Sequence, residues 1–403
     1  MSSSPWSDLP VDIGHLILDR LTEVVEHVRF GATCNHWYVI SKQYQHRQRR
    51  ALPMLLVPSP EAPAKPDLPK LCALSWLGKY HQNFNHPLPF TRFRYCGSSN
   101  GWLATQNEDF TLTLLYPFAG QLLTIHLPVL GGPWLARKHD FLTKKLIVSP
   151  TSTPDNFTVV AIYGDARKLA TIKSGEMSWF RFKKIPDIFY SDIMFYENKI
   201  YAVGQNFQMV RLIVHLRPPR FKIIHPGVES VKSNKTFFVE SSSSELFLLQ
   251  KHLRFLPVNQ DIREQAMNQG HRDGEEEDYI YARRWTAKEF CVYKLKLDNT
   301  GAVVEIIETK SLNGDAFFVG DNESMSFSAT CFPECKTNYI YFTDNYIYDD
   351  YIEPFGREDV MCYNVEDGSM KSIYSVIPRH RRNMSQPIWI MPQYYHQDKL
   401  NEN

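Results

Sequence analysis

The sequence YKLKLDNTGAVVEII, residues 293–307, decides the fold of this chain. Apolar side chains alternate with lysines as far as Leu297, a polar turn then ends at Gly301, and a second apolar run follows. Alternation with a period of two indicates a strand with one buried face, and a short turn ending in glycine joins two such strands. The stretch therefore predicts an antiparallel β-hairpin with Gly301 in a tight turn.

The same unit of strand, glycine turn and strand recurs along the chain. Copies cover residues 112–125 across Gly120 and 360–373 across Gly368, and a weaker copy covers 169–180 across Gly175. The long gap before Gly301 contains further strand-like runs at residues 199–203, 209–215, 236–239 and 245–250. We therefore expect a blade there without the glycine. The period, about 50 residues, is near that of kelch blades and favours a β-propeller over a sandwich or a barrel.

A helical period governs residues 6–41, WSDLPVDIGHLILDRLTEVVEHVRFGATCNHWYVIS. Its apolar residues fall into three groups, which predict three short helices, with Pro10 at the first position of the first helix. So small a unit is at the limit of independent folding, and it has more apolar side chains than its own helices can bury. Two interpretations stay open: a helical cap on the larger domain, or a docking surface for helices of another protein.

The residue types in this segment follow a specific order. The order is Leu9-Pro10, Asp12, Ile17-Leu18, Arg20-Leu21, Arg29-Phe30, Cys34 and Trp37. The segment resembles an F-box, with departures at Glu26, Thr33 and Tyr38. The resemblance implies binding to the Skp-type adaptor of a cullin ubiquitin ligase. The adaptor-binding residues that we predict are Leu9, Pro10, Ile13, Leu16, Ile17, Leu21, Val25, Val28, Cys34 and Trp37.

The composition is that of an ordered protein without a strong charge. The 403 residues carry a net charge of +1, so we expect no general attraction to nucleic acid or membrane. A hydrophobic fraction of 43% argues against disorder throughout. The seven cysteines are scattered, and the chain start has no basic segment followed by an apolar run. These features predict a reducing compartment, cytoplasmic or nuclear.

Proline content and apolar pattern suggest the domain boundaries. We expect a helical domain at residues 1–45, a proline-rich linker without helix or central strand at 46–70, a propeller domain at 71–392 and a tail at 393–403. Residues 257–279 are polar without an apolar period, which predicts an inserted loop. The segment PIWIMP, residues 387–392, would close the ring by pairing with residues near 71–95.

The sequence CGSSNGWL, residues 96–103, carries a second resemblance. It is similar to the CGSS-x-GWL signature of the F-box-associated domain, a kelch-like group expanded in flowering plants. Further matches in the order of that group lie at residues 200–203, 245–249, 290–295, 315–320, 338–342 and 387–389. The resemblance implies no catalytic residue.

Three further motifs resemble sites of chemistry. GSSNG, residues 97–101, fits the nucleophile elbow of hydrolases, which needs a helix directly after the serine, here Ser99. Strand-like residues follow instead, so a turn is favoured. Cys331 and Cys335 lack the second ligand pair of a zinc site, and the aspartates near residue 349 fit a solvated loop. We expect no cofactor and no metal.

Together these features predict a mixed fold, with a small all-α F-box followed by an all-β, kelch-like propeller. The predicted function is that of a non-catalytic substrate adaptor in a Skp–cullin–F-box ubiquitin ligase. Its partners would be the Skp-type adaptor, through it cullin, and an unknown target protein. Two alternatives stay open: a binding module outside any ligase, with a degenerate F-box as a helical cap, and, more remotely, a serine hydrolase using Ser99.

Overall fold

Three helices precede a set of β-sheets in the computed structural model of the chain. They are α1 Val11–Leu18, α2 Val24–Gly31 and α3 Asn35–Arg47. Among the described residues, no helix is long and apolar enough to cross a bilayer. The structure describes residues 9–21, 24–31, 33–47, 53–58, 71–74, 80–81, 93–107, 109–117, 123–130, 142–150, 153–183, 188–227, 235–255, 285–330, 335–343, 360–374 and 387–391.

The described strands form six sheets, numbered here as blades 1 to 6. Blade 1 contains β1 Met54–Pro58, β2 Leu71–Leu74, β3 Tyr80–His81 and β25 Ile388–Ile390. Blade 2 contains β4 Phe93–Ser99, β5 Trp102–Asn107, β6 Leu112–Tyr116 and β7 Leu123–Leu127. Blade 3 contains β8 Thr143–Val148, β9 Thr158–Tyr163, β10 Lys168–Lys173 and β11 Phe180–Arg181.

The other three blades follow in chain order. Blade 4 contains β12 Tyr190–Tyr196, β13 Lys199–Gly204, β14 Met209–Ile213 and β15 Arg220–His225. Blade 5 contains β16 Lys235–Glu240, β17 Leu246–Phe255, β18 Trp285–Leu297 and β19 Val303–Thr309. Blade 6 contains β20 Asp315–Val319, β21 Met325–Ser328, β22 Tyr339–Thr343, β23 Val360–Asn364 and β24 Met370–Tyr374.

The blades form a ring, because one edge strand of each sheet contacts the corresponding edge strand of the next sheet: β25 lies beside β4, β4 beside β8, β8 beside β12, β12 beside β16 and β16 beside β21. Blade 6 also packs on blade 1, where the rings of Phe318 and Trp389 meet edge to face at 5.1 Å. Apolar clusters of described residues lie between blades 2 and 3, 3 and 4, 4 and 5, 5 and 6, and 6 and 1. The fold is a β-propeller, as the recurring hairpin predicts.

The ring closes through β25, which pairs with β1 rather than with residues near 71–95 as predicted from the sequence. The predicted linker at 46–70 therefore contains a central strand, since β1 lies between β25 and β2. Its five residues, MLLVP, follow Pro53 and end at Pro58, so the prolines stand at the ends of the strand instead of interrupting it. The helical part also ends slightly later than residue 45, because α3 reaches Arg47.

All four predicted hairpins are present: β6 with β7, β10 with β11, β18 with β19, and β23 with β24. In each blade these are the two outermost strands. Gly175, Gly301 and Gly368 have φ between +72° and +80°, a region that favours glycine. Gly120 and the predicted loop at 257–279 lie outside the described residues. The blade expected without the glycine is blade 4.

Candidate functional site

The three helices share a small apolar cluster of their own. Leu18, Phe30, Ile40 and Tyr44 are buried in it. Gly14 allows α1 to approach α3 closely, because a Cβ atom at this position would lie 2.6 Å from Cγ2 of Ile40. A core of this size leaves most of the helical surface exposed to solvent.

The opposite face of α1 is apolar as well. Ile13 is 44% exposed and Leu16 is 60% exposed, and Pro10 before the helix is exposed too. An amphipathic core helix normally carries polar residues on this side. On α1 this side instead carries two branched apolar side chains, which form a small exposed apolar patch.

Other predicted adaptor-binding residues contribute to the helical cluster itself. Ile17, Leu21 and Trp37 are half-buried and pack against the four core residues, and the ring of Trp37 stacks on Phe30 at 4.5 Å. The side chains of Val25 and Val28 lie outside the described ones. The structure therefore divides the predicted set into residues on an exposed face and residues that support it.

Three hydrogen bonds fix the ends of the helices. Cys34 precedes α3, and its Sγ atom accepts a hydrogen bond from the backbone N–H of Trp37 at 3.5 Å. The hydroxyl of Thr33 donates to the carbonyl of Arg29 at 3.1 Å, so it satisfies a free acceptor at the end of α2. The carbonyl of Leu9 lies 2.8 Å from the ring nitrogen Nε2 of His36. Pro10 stands one position before the first helical residue, not at it as predicted.

In the propeller, the signature CGSSNGWL forms the hairpin between β4 and β5. Asn100 and Gly101 have φ of 50° and 81°, the backbone of a two-residue turn, and Trp102 then begins β5. A strand follows Ser99, as the turn interpretation predicts. Gly97 lies against the next blade, since a Cβ atom there would be 2.1 Å from the carbonyl oxygen of Leu146.

Ser99 connects three blades. Its hydroxyl is 3.0 Å from the carbonyl oxygen of Val148 in blade 3 and 2.6 Å from Oε2 of Glu323 in blade 6, and its oxygen accepts from the N–H of Val148 at 3.1 Å. The side chain of Ser99 is only 3% exposed. These contacts fix the hairpin to blade 3 and to a loop of blade 6.

Glu323 belongs to the β20–β21 loop, residues 320–324, here called the axial loop. Its backbone N–H donates to the carbonyl of Ser98 in blade 2 at 2.7 Å, and its carboxyl accepts from the N–H of Phe195 in blade 4. Blades 2 and 4 are not neighbours of blade 6, so the loop reaches across the centre of the ring. Desolvation by burial raises the pKa of Glu323 to about 7, and the hydrogen bond from Ser99 lowers this pKa and offsets part of the rise.

Further charged groups near the centre are paired. Lys145 of blade 3 forms an ion pair with Asp192 of blade 4, and both are buried. Burial raises the pKa of Asp192, while the Lys145 ammonium opposes that change. The Nζ atom of Lys235 in blade 5 lies 2.7 Å from the Oδ1 atom of Asp321 in the axial loop. Sequence reasoning missed this network, because GDNES reads like any polar surface turn.

Family and sequence comparisons agree with this architecture. The model of the KIB1-4 beta-propeller matches residues 69–364, well over half of the chain. The Arabidopsis thaliana protein named "Putative F-box protein At1g65770" is 24% identical over 364 residues, covering 84% of this chain and 89% of that protein. These findings support a plant F-box-type protein with a propeller, and not the kelch-like subtype that the hairpin period suggested.

Solved structures give only distant likenesses. Virginiamycin B lyase from Staphylococcus aureus is 10% identical, with a TM-score of 0.32 and 73% of each chain covered. The Cps50 (Swd1) β-propeller domain of Myceliophteria thermophila is 12% identical, with a TM-score of 0.31, 69% of this chain and 67% of that chain covered. Likenesses at this level carry no weight for function. The family model, matched from residue 69 to residue 364, shows that the chain belongs to the KIB1-4 beta-propeller family.

Proposed function

We propose that this chain is the substrate-recognition subunit of a Skp–cullin–F-box ubiquitin ligase. The exposed face of α1, with Ile13 and Leu16 directed to solvent, is the observation that carries the proposal. The order of F-box residue types in the helices and the name of the Arabidopsis relative support it. In this proposal the α1 face binds the Skp-type adaptor, and the propeller binds the target protein.

The proposed role involves no bond-making by this chain. The complex would hold the target close to a ubiquitin-charged enzyme, and the high local concentration would supply the rate. A rigid ring suits this role, because it keeps the target-binding loops at a fixed position. We propose a cytoplasmic or nuclear location for the same chain, consistent with its scattered cysteines.

A pull-down with a purified Skp-type adaptor tests the proposal. We expect the full chain to bind, and the double variant Ile13→Ser/Leu16→Ser to lose at least about thirtyfold in affinity, since truncating buried anchors costs about 2 kcal/mol or more. The matched control is Val304→Ser/Ile373→Ser, which removes two exposed apolar side chains from the propeller. This control should bind like the wild-type chain.

Two outcomes would count against the proposal. If the wild-type chain binds no Skp-type adaptor, the helices serve only as a cap, and the protein is a binding module outside the ligase. The partly buried positions Ile17, Leu21 and Trp37 would suit that simpler role, because they pack on the helices' own cluster. If both double variants lose affinity equally, the α1 face is not the docking surface.

A further inference from the structure

Two neighbouring turns of the propeller expose apolar side chains. Met177, in the turn between β10 and β11, is 90% exposed, and Leu216, in the turn between β14 and β15, is 37% exposed. An ion pair between Glu176 and Arg217, 3.9 Å apart, joins the two turns. Exposed methionine is a flexible, polarizable contact that adapts to the shape of a partner.

The strand beside these turns is a free sheet edge. Among the described strands, β15 pairs with β14 alone, so its outer backbone groups have no strand partner. Arg220, Lys222 and Ile223 are exposed along it. Free strand edges are where extended peptides add to a sheet, while neighbouring side chains select the sequence.

The charge of this hairpin is entirely positive. Residues 204–227 contain four lysines or arginines and no aspartate or glutamate. Arg211 donates to the carbonyl of Thr300, which leaves Arg217, Arg220 and Lys222 as the exposed cations. Among the described residues, the acidic groups that interact with them are Glu176, beside Arg217, and Asp298, near Lys222. The carboxylate of Asp298 also accepts hydrogen bonds from its own turn at Thr300 and Ala302.

The other outer strands carry different charges. On β19 the exposed glutamate Glu305 pairs with Lys296 of the adjacent strand. The five residues of β7, LTIHL, include no lysine or arginine. β24 exposes one lysine, Lys371, and β11 exposes one arginine, Arg181. Among the described outer strands, β15 is therefore the one that combines two exposed cations with an exposed apolar residue.

We propose that this edge surface, formed by Met177, Leu216, Arg217, Arg220, Lys222 and Ile223, binds an extended acidic segment of a partner protein. The segment pairs with β15, places its carboxylates beside Arg220 and Lys222, and packs an apolar side chain on Met177 and Leu216. The inference rests on the proposed function in one respect, because it assigns the target-binding surface of that adaptor.

Binding of a labelled peptide tests this proposal. The probe is a fluorescent twelve-residue peptide of alternating glutamate and valine, measured by anisotropy with the full chain at low salt. A peptide with lysine in place of glutamate should not bind. We expect Arg220→Glu/Lys222→Glu to weaken binding of the glutamate peptide at least about tenfold, because close opposite charges in an interface couple strongly. Binding should also fall as salt rises.

The matched control is Lys310→Glu/Lys371→Glu, which makes the same change in net charge at exposed lysines of blades 5 and 6. It should bind the glutamate peptide like the wild-type chain. Equal losses in both double variants would show a general charge effect and overturn the proposal. The proposal would also be overturned if the wild-type chain did not bind the glutamate peptide, or if it bound single-stranded RNA and not the peptide. Thermal unfolding at the wild-type temperature would show that each variant is folded, so that a loss of binding reflects the changed charges.

Adaptor binding separates this inference from the proposed function. The variant Arg220→Glu/Lys222→Glu should bind a Skp-type adaptor as tightly as the wild-type chain does. Peptide binding by a chain that binds no adaptor would overturn the ligase role and leave the edge surface in place. If the chain binds the adaptor but not the peptide, the ligase role stands and the edge surface proposal is overturned.

Discussion

Gly97 and Ser99 are buried at contacts between blades, where their neighbours are backbone atoms of another blade. The turn glycines were evident from the sequence, since a polar turn between two apolar runs indicates Gly301 and Gly368 without further knowledge. Gly97 was quoted in the signature, but its contact with the backbone of Leu146 depends on how two blades meet. Local pattern carries no information about that distance, and the same holds for the bond between Ser99 and Glu323.

Gly97→Ala should destabilise the propeller by about 3 kcal/mol, because a Cβ atom 2.1 Å from a backbone oxygen forces two strands apart. The comparison variant is Gly175→Ala, which has open space around it but a φ of +78°. Its cost should be about 1 kcal/mol. Urea unfolding of both variants measures the difference, and equal midpoints would show that the approach of the blades is not rigid.

At the scale of elements, the strands with alternating residues were predictable, and those in unusual surroundings were not. β1 was missed because the prolines around it resemble a linker. Blade 6 contains a parallel pair, β20 with β22, which no hairpin pattern can indicate because the two strands are not joined by a short turn. The three helices were placed correctly by their period, while their docking role remains a proposal.

The closing strand β25 depends on Trp389, which is 3% exposed and packs edge to face on Phe318. Trp389→Ala should cost about 3–5 kcal/mol, the range for removing a buried indole. Trp389→Phe should cost only about 1–2 kcal/mol, since it keeps an aromatic ring and the indole N–H has no partner among the described residues. Thermal unfolding with both variants checks this. Similar losses would mean that ring packing contributes little.

At the scale of the whole molecule, the repeat predicted a propeller and the comparisons placed it in its family. Blade number and the axial loop could not be predicted. Blade number depends on how many sheets pack around the axis of the ring. The axial loop is short and polar, so its sequence does not distinguish it from a surface turn. The sequence indicated the apolar face of α1, whose docking role stays a prediction, while the β15 edge required knowing which strands are outermost.

The axial loop predicts a pH dependence of the whole ring. The pKa of Glu323 is raised to about 7 from an ordinary 4.5, so the folded state binds more protons than the unfolded state between these values. Stability should therefore fall as pH rises from about 4.5 to 7, by up to about 3 kcal/mol. Burial raises the pKa of Asp192 as well and adds a change of the same sign.

Glu323→Gln should flatten this dependence and raise the unfolding midpoint at pH 8, because the amide has no charge to desolvate. The control Glu305→Gln alters an exposed carboxylate and should leave the pH profile unchanged. Urea unfolding between pH 5 and 8 measures both. A wild-type midpoint that rises with pH over this range would contradict the assignment of Glu323.

The pairing of β1 with β25 sets the order in which the molecule can be completed during synthesis. β1 lies at residues 54–58 and β25 at residues 388–390, so the first blade stays unfinished until every other blade has left the ribosome. Leu55 and Phe318 also lack part of their packing until β25 has been made, since both lie in the cluster that contains Trp389. Newly made chains therefore pass through a stage with an open ring. At that stage strand edges are exposed, and chaperones that bind such edges would act then.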